Sequence, residues 1–227
     1  MKIYFDGAST KELDEVLKLG IISGVTTNLS FCKKQIDTTG QNDMSLLQEI
    51  KKKVLDYNKK KLSYSVQVSS FKPEDIVTEA KVLNEKLSGK IDLKIKVPVS
   101  YENFKVIDQL VNKKININAT CVTSFLQGLA AANAGCSYIS FFWGKMTDED
   151  IDPKKIISEF KNLLIKNSLD KTCQILVGSI RQTKVIREAF AAGADIVTIQ
   201  NDSFVKMLNQ QKSLEANLLF QKDWNKK

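Results

Sequence analysis

The chain has 227 residues, and its 34 Lys and Arg residues against 26 Asp and Glu give a formal net charge of +8. It contains no histidine, which excludes Ser-His-Asp and Cys-His catalysis, an imidazole proton relay and a His-ligated zinc site. Hydrophobic residues make up 43% of the chain, with only 10 Gly and 3 Pro, so a collagen-like or Pro/Gly-rich disordered chain is excluded as well.

Eight short apolar runs alternate along the chain with longer segments of helical periodicity. We predict strands over 3–5, 21–25, 64–68, 93–99, 115–120, 138–142, 174–177 and 196–199. We predict helices over 9–19, 43–59, 73–88, 101–113, 123–134, 153–167, 181–192 and 201–209, and a last helix over 213–225. Strands that alternate with helices need crossover connections and therefore indicate a parallel sheet.

The residues between these segments match the boundaries that helices require. Ser9 and Glu12 have the spacing of a capping box, in which each side chain satisfies a free backbone amide. A glycine follows several predicted helices, where a left-handed residue is needed, at Gly20, Gly89, Gly135 and Gly193. We therefore predict an α/β fold, a single (β/α)8 TIM barrel over 1–227 with an additional C-terminal helix. The main alternative is an open doubly wound sheet, but the chain lacks the glycine-rich and Walker motifs of its nucleotide-binding versions.

Cysteine usage and charge bear on compartment and partners. None of the four cysteines forms a C-x-x-C pair and no apolar run reaches 18 residues, so we expect reduced thiols, a cytoplasmic protein and no membrane span. All but two of the 34 cations are Lys, scattered over predicted amphipathic helices. We interpret them as a solvated surface and expect no nucleic-acid partner, although a polyanion-binding face is the alternative.

Polar residues gather where the predicted strands end, which is where barrel enzymes place their active sites. A polar strand end can also be simply the start of a loop, but the joint occurrence is harder to explain that way. The set comprises Asp6, Thr26, Thr27, Asn28, Gln67, Lys96, Asn118, Thr120, Ser140, Ser179 and Gln200.

Lys96 has the sharpest pattern in this set. Side chains alternate across a strand, so if Leu93, Ile95 and Val97 pack against helices, Lys94 and Lys96 point into the barrel. A buried ammonium is costly, and burial lowers its pKa, which yields the neutral amine that Schiff-base chemistry needs. The alternative is a strand with both lysines in water.

Three further charged residues are candidates for the site. Asp6 can act as a general base or as a turn residue. Arg181, at the start of the predicted helix 181–192, can bind phosphate or lie on the surface. Lys145 follows the sixth strand and can supply a second charge to a phosphate.

Eight segments together resemble the transaldolase family, in its short subfamily that includes fructose-6-phosphate aldolases. In chain order they are IYFDGAS, GVTTNLS, VQVSS, IKVPVS, NATCVTSFLQGLAAANAG, YISFFWGK, ILVGSIR and AGADIVTI. The resemblance implies a metal-free and cofactor-free class I aldolase chemistry on sugar phosphates, with Lys96 as the Schiff-base lysine and Asp6 as the proton acceptor. It also implies homo-oligomers, pentamers or decamers, with the last helix (213–227) packing on a neighbouring subunit.

The resemblance implies roles for the rest of the site too. Thr120 and Gln67 would hold the catalytic water. Groups that would bind the substrate's sugar and phosphate parts are Thr26, Asn28, Asn118, Ser140, Phe142, Lys145, Ser179 and Arg181. The chain departs from the family pattern at five positions. The family usually has Thr at the position of Gly7, Pro at those of Leu29 and Phe141, an apolar residue at that of Lys94 and Arg at that of Lys145.

Two positions bear on the exact reaction, and they disagree. Phe142 resembles transaldolases, because aldolase members carry a Tyr whose hydroxyl can assist enamine protonation. Gln67 resembles the aldolases instead. We favour a transaldolase that moves a dihydroxyacetone unit from fructose 6-phosphate or sedoheptulose 7-phosphate to an aldose phosphate, in the pentose phosphate pathway. The alternatives are a fructose-6-phosphate aldolase and a non-catalytic barrel that binds phosphates or polyanions.

Overall fold

Eight parallel strands close into a barrel in which each strand pairs with its neighbours in chain order. The computed structural model describes residues 1–57 and 61–226. The strands are β1 (Lys2–Asp6), β2 (Gly24–Thr26), β3 (Ser63–Gln67), β4 (Asp92–Pro98), β5 (Ile117–Val122), β6 (Tyr138–Phe142), β7 (Gln174–Gly178) and β8 (Ile196–Ile199). Strand β8 pairs with β1 and closes the ring, which confirms the predicted (β/α)8 barrel.

Helices surround this barrel, and an additional one ends the chain. They are α1 (Thr10–Leu19), α2 (Leu29–Thr39), α3 (Asp43–Asp56), α4 (Pro73–Leu87), α5 (Asn103–Asn112), α6 (Phe125–Asn133), α7 (Trp143–Asp148), α8 (Pro153–Lys166), α9 (Lys184–Ala191), α10 (Asn201–Leu208) and α11 (Gln211–Trp224). None of the helices that the described residues form is both long and apolar enough to cross a membrane.

The helix boundaries follow from the capping residues that the sequence places there. Helix α1 begins after Ser9, whose hydroxyl accepts a hydrogen bond from the Glu12 amide, and it ends at Gly20 with a φ of 75°. A left-handed residue at this position lets the chain turn away while the last carbonyls keep their partners. The predicted capping box is confirmed in its Ser9 half.

The structure corrects several predicted boundaries. Helix α3 ends at Asp56 rather than 59, and residues 58 and 59 lie outside the described part of the chain. Strand β2 begins at Gly24 and not at 21. A side chain at position 24 would be too close to β3, because a Cβ there would lie 2.8 Å from the Ser63 carbonyl oxygen. Helix α9 begins at Lys184, so Arg181 lies in the loop before it and not on its first turn as predicted.

Two helices were not predicted at all. Helix α2 buries none of its residues, so the apolar periodicity that indicates a helix is weak over 29–39. Helix α7 has six residues and follows β6 without a loop, so its aromatic start looks like a continuation of the strand. Both helices lie at the carboxyl ends of the strands, where the candidate site is found.

The position of Leu29 gives a stability prediction. It is the first residue of α2, where a proline fits because its fixed φ suits the helix, and Asn28 before it is extended with a ψ of 168°. We expect Leu29→Pro to stabilise the protein by about 0.4–1 kcal/mol, through a less flexible unfolded chain. Urea unfolding measures this change. Leu29→Ala is the control, since it also removes the Leu side chain, and a Pro variant no more stable than the Ala variant would contradict the prediction.

Candidate active site

The interior of the barrel holds a cluster of packed side chains and, at the carboxyl ends of the strands, a cavity lined largely by polar residues. Four buried side chains form a separate cluster inside the barrel, and one of them, Leu176, also lines the cavity described next; the cluster comprises Tyr4, Tyr138, Leu176 and Ile196. Near the carboxyl ends lies a cavity of about 230 Å³. Its walls are formed by Asp6, Thr26, Asn28, Phe31, Lys96, Thr120, Ser140, Phe142, Leu176, Gly178, Ser179, Thr198 and Gln200. Eight of the twelve residues predicted for the site therefore meet in one cavity.

Lys96 reaches this cavity from the middle of β4. Ile95 and Val97 are fully buried on the other face of the strand, and Lys96 itself is only 5% exposed. Its Nζ donates a hydrogen bond to the Thr27 carbonyl at 2.6 Å. Burial lowers the pKa of this amine below its ordinary value, and the nearby Asp6 charge opposes the shift only in part. Lys96 is thus an amine poised to lose its proton.

Lys94 also points into the barrel, as the alternation of β4 predicts, but it does not reach the cavity. Its Nζ contacts Asp92 Oδ1 at 2.6 Å and lies 5.1 Å from the centre of the Tyr138 ring. Both partners belong to the amino-terminal half of the barrel, and they compensate the Lys94 charge there. Burial rather than this second ammonium is therefore what lowers the Lys96 pKa.

Asp6 ends β1 and joins a chain of three side chains across neighbouring strands. Thr26 donates its hydroxyl to Asp6 Oδ1 at 2.7 Å, and Thr26 Oγ1 lies 2.7 Å from Thr198 Oγ1. A hydroxyl has one proton to give, so Thr198 must be the donor to Thr26. Burial raises the Asp6 pKa above its ordinary value, while Lys96 and Thr26 counter part of the rise. A carboxylate held in this way has the basicity that proton transfer needs.

A second polar group reaches the same cavity through Ser140. Ser140 donates its hydroxyl to Asn118 Oδ1 at 2.6 Å, and Asn118 Nδ2 donates to Ser65 Oγ at 3.4 Å. Asn118 is fully buried behind Ser140 and does not line the cavity. Because the Ser140 proton is committed to Asn118, its oxygen is free to accept a hydrogen bond from a substrate hydroxyl.

Thr120 is the unsatisfied group of the site. Within the described residues its Oγ1 is buried without a hydrogen-bond partner, and it lines the cavity. It lies at a register shift in β5, next to Cys121, whose φ of 63° is unusual for a residue with a side chain. A buried hydroxyl without a partner indicates a place where a water or a substrate oxygen binds.

Gln67 is separated from Thr120, although both were predicted to hold one water. Gln67 ends β3 and lines a neighbouring cavity of about 360 Å³, together with Thr27, Asn28 and Cys32. Asn28 is shared by both cavities and caps α2, where its Oδ1 accepts a hydrogen bond from the Phe31 amide at 3.0 Å. Its amide nitrogen is therefore the part of Asn28 left to bind a ligand.

The predicted phosphate-binding residues are only partly at the cavity. Ser179 lines it, with a φ of 57°, and its carbonyl accepts a hydrogen bond from the Gly144 amide at 3.1 Å. Arg181 and Lys145 lie outside, at 56% and 63% side-chain exposure. Both of these cations approach Asp148, the last residue of α7.

Four residues of the cavity wall were not predicted. Leu176 and Thr198 occupy inward positions of β7 and β8, so strand alternation alone could have found them. Gly178 has no side chain to give a signal, and Phe31 lies on the unpredicted helix α2.

Among the described residues no group of three His, Cys, Asp or Glu side chains could hold a metal ion.

Similar proteins are found both by sequence and by fold. A family model described as Transaldolase/Fructose-6-phosphate aldolase matches residues 3–226. A probable transaldolase from Thermoplasma volcanium is 33% identical over 226 residues, which cover all of this chain and 96% of that protein. A probable transaldolase from Clostridioides difficile is 32% identical and covers 99% and 97% of the two chains. A thiamine phosphate pyrophosphorylase structure from Pyrococcus furiosus shares the fold, with a TM-score of 0.60, 13% identity and coverage of 88% and 85%.

Proposed function

Since the chain belongs to the transaldolase/fructose-6-phosphate aldolase family, we propose that it is a Schiff-base transaldolase. It would move a dihydroxyacetone unit from fructose 6-phosphate or sedoheptulose 7-phosphate to an aldose phosphate, as in the pentose phosphate pathway. The observation that carries this proposal is the buried Lys96 amine, which shares one cavity with the Asp6 carboxylate and is the cavity's one cation among the described residues that line it. An amine of lowered pKa is the nucleophile that such a reaction needs.

The first half of the reaction forms a covalent bond to Lys96. The neutral amine attacks the ketose carbonyl carbon C2, and the resulting carbinolamine takes up one proton from the solvent and loses water to give a protonated imine. Asp6 then accepts the proton of the C4 hydroxyl, the C3–C4 bond breaks, and its electron pair moves toward the imine nitrogen to give an enamine. The aldehyde product leaves. The Thr26–Thr198 chain fixes the Asp6 carboxylate for this step.

The second half reverses these steps on another aldehyde. The enamine carbon attacks the acceptor carbonyl, and the proton that Asp6 holds passes to the new hydroxyl. Water then hydrolyses the imine, and the unsatisfied Thr120 hydroxyl is suited to orient that water. Ser140 and the Asn28 amide are placed to bind the hydroxyls of the bound unit. No metal or cofactor takes part in these steps.

Phe142 favours transfer over simple cleavage. Its side chain lines the cavity and has no hydroxyl that could protonate the enamine. Gln67, the residue that resembles the aldolases, lines the neighbouring cavity instead. Phe142 therefore offers the enamine no proton, which favours its reaction with an acceptor over protonation.

Trapping with borohydride tests the proposal. Fructose 6-phosphate and borohydride should give an adduct that peptide mass spectrometry maps to Lys96. Turnover of fructose 6-phosphate should require erythrose 4-phosphate. Turnover without an acceptor would favour the aldolase, and a folded protein without a Lys96 adduct would contradict both enzymes. Salt-sensitive polyanion binding without an adduct would instead favour the non-catalytic barrel.

The C-terminal helix supports assembly into a homo-oligomer. Helix α11 buries none of its residues, and four large apolar side chains on it are more than half exposed, namely Leu218, Leu219, Phe220 and Trp224. We propose that α11 packs on a neighbouring subunit of a pentamer or decamer, and light scattering of the full chain measures the mass of this oligomer.

All four cysteines are free thiols, which suits the reducing cytoplasm.

Arg181 gives a prediction about the substrate's phosphate. We expect Arg181→Ala to lower kcat/KM for fructose 6-phosphate by about tenfold or more, since it removes a charged hydrogen-bond donor. Steady-state kinetics measure this effect, with unphosphorylated fructose as the comparison substrate. The other arginine offers the control, because Arg187 lies on α9 and does not line the cavity. Arg187→Ala should leave kcat/KM unchanged for both substrates. An equal loss for both substrates would contradict the role in phosphate binding.

A further inference from the structure

The cavity holds too little positive charge for a phosphate. Apart from Lys96, which bonds to the ketone in the proposed reaction, the described residues that line it include no Lys or Arg. Ser179 supplies a polar group at the rim, but a phosphate dianion needs cationic donors as well. Two cations close to Ser179 are candidates: Arg181, two residues beyond it in the chain, and Lys145 on α7, the helix whose Gly144 amide donates to the Ser179 carbonyl.

Both of these cations are engaged by one carboxylate. Arg181 Nη1 and Nη2 donate to the two oxygens of Asp148 at 2.6 Å each, in a bidentate pair. Lys145 Nζ lies 4.0 Å from the same carboxylate. Asp148 has a pKa below its ordinary value because of these contacts, so it is ionised and holds both cations at neutral pH.

The Nε edge of the guanidinium lies next to α7. Arg181 Nε lies so close to α7 that a Cβ on Gly144 would come within 3.0 Å of it. The guanidinium therefore lies along α7 with its Nη edge on Asp148 and its Nε edge against the helix. A phosphate can take the two Nη donors that now bind Asp148 only if this pair opens.

The place of Asp148 argues against a role in stabilising its own helix. It is the last residue of α7, and the negative end of the helix dipole disfavours a carboxylate there. An exposed ion pair is also weak, so a phosphate can displace it at modest cost. These are the properties of an exchangeable competitor.

We propose that Asp148 competes with the substrate's phosphate for Arg181 and Lys145, and so sets how strongly the enzyme prefers phosphorylated over unphosphorylated sugars. This inference rests on the proposed function. When the phosphate arrives, Arg181 exchanges the carboxylate for the phosphate oxygens beside Ser179. The Asp148 charge then remains nearby and repels the dianion, so it lowers phosphate affinity in two ways.

Asp148→Asn tests the proposal, with Asp148→Ala as a second variant that cannot bond to Arg181 at all. Asp150→Asn is the matched control, since Asp150 forms none of the ion pairs found within 1–57 and 61–226. Isothermal titration with inorganic phosphate gives a readout that needs no turnover. We expect phosphate to bind about two- to fivefold more tightly to both Asp148 variants, and unchanged to the control.

Kinetics add the selectivity. KM for fructose 6-phosphate should fall in the Asp148 variants, and KM for fructose should not change. The gain in phosphate binding should disappear in the double variant Asp148→Asn/Arg181→Ala. Weaker or undetectable phosphate binding in the Asp148 variants, or an equal change for both sugars, would overturn the proposal. A protein that binds phosphate as expected but forms no Lys96 adduct would refute the proposed function alone.

Discussion

Lys96→Met should abolish the covalent adduct with fructose 6-phosphate and lower kcat by a factor on the order of 10⁴ or more, as loss of a nucleophile does. Met has nearly the length of Lys and no amine, so it fills the same space among the buried residues of β4. The Thr27 carbonyl loses its donor, but one lost hydrogen bond does not unfold a barrel of this size. Mass spectrometry after borohydride treatment and steady-state kinetics measure the two effects.

Lys94→Met is the matched control for this variant. It makes the same change on the same strand, two residues toward the amino-terminal end, where Asp92 and Tyr138 surround the ammonium. We expect this protein to retain the adduct and its turnover. Loss of the adduct in the Lys94 variant, with Lys96 present, would show that adduct formation depends on the barrel's general packing rather than on one amine.

The lowered pKa of Lys96 adds a pH dependence with a definite sign. Between that lowered pKa and the ordinary Lys value of 10.5, the unfolded chain binds a proton at this position that the folded protein does not. The free energy of unfolding therefore rises with pH in this window. Lys96→Met should lose this rise, which urea titrations across the window would detect. The rate of borohydride trapping should rise with pH toward the same lowered pKa, because the neutral amine is the reacting form.

Strand alternation explains why most of the cavity could be predicted from the sequence. Lys96 and Ser140 each follow a residue that packs outward against the helices. Because side chains alternate every two residues along a strand, a few residues of sequence are enough to predict which side chains point into the barrel. The closed barrel then brings the strand ends together, so residues far apart in the chain share one cavity. The amphipathic helices around the barrel were predicted for a similar reason, since each carries its own periodicity.

The rest of the site depends on side-chain directions that the neighbouring sequence does not determine. Gln67 sits on the predicted strand end but lines the neighbouring cavity, which residues of α2, α3 and α4 also bound. Arg181 was predicted at a helix start, yet its partner Asp148 lies 33 residues away on a helix that no periodicity indicated. Prediction therefore failed for long flexible side chains and for the helices α2 and α7, while the order of the strands in the barrel was predicted correctly.

Asp6→Asn should lower kcat for transfer by about 10²–10⁴-fold while the adduct on Lys96 still forms. Asn has the shape of Asp and can still accept the Thr26 hydroxyl at Oδ1, so the hydrogen-bonded chain to Thr198 survives. It cannot take a proton from the C4 hydroxyl, which is the step that allows the C3–C4 bond to break. Kinetics and borohydride trapping of the same protein separate the two steps.

Electrostatics sharpen this separation. The Asp6 charge raises the pKa of Lys96 against the effect of burial, so its removal should lower that pKa further and leave more neutral amine at pH 7. Trapping of Lys96 should then be as fast as in the parent protein or faster, although turnover is lost. Asp92→Asn is the control, since it removes a carboxylate from the opposite end of the barrel and should spare turnover. If Asp6→Asn instead prevented trapping and left no other defect, Asp6 would serve adduct formation rather than cleavage of the carbon–carbon bond.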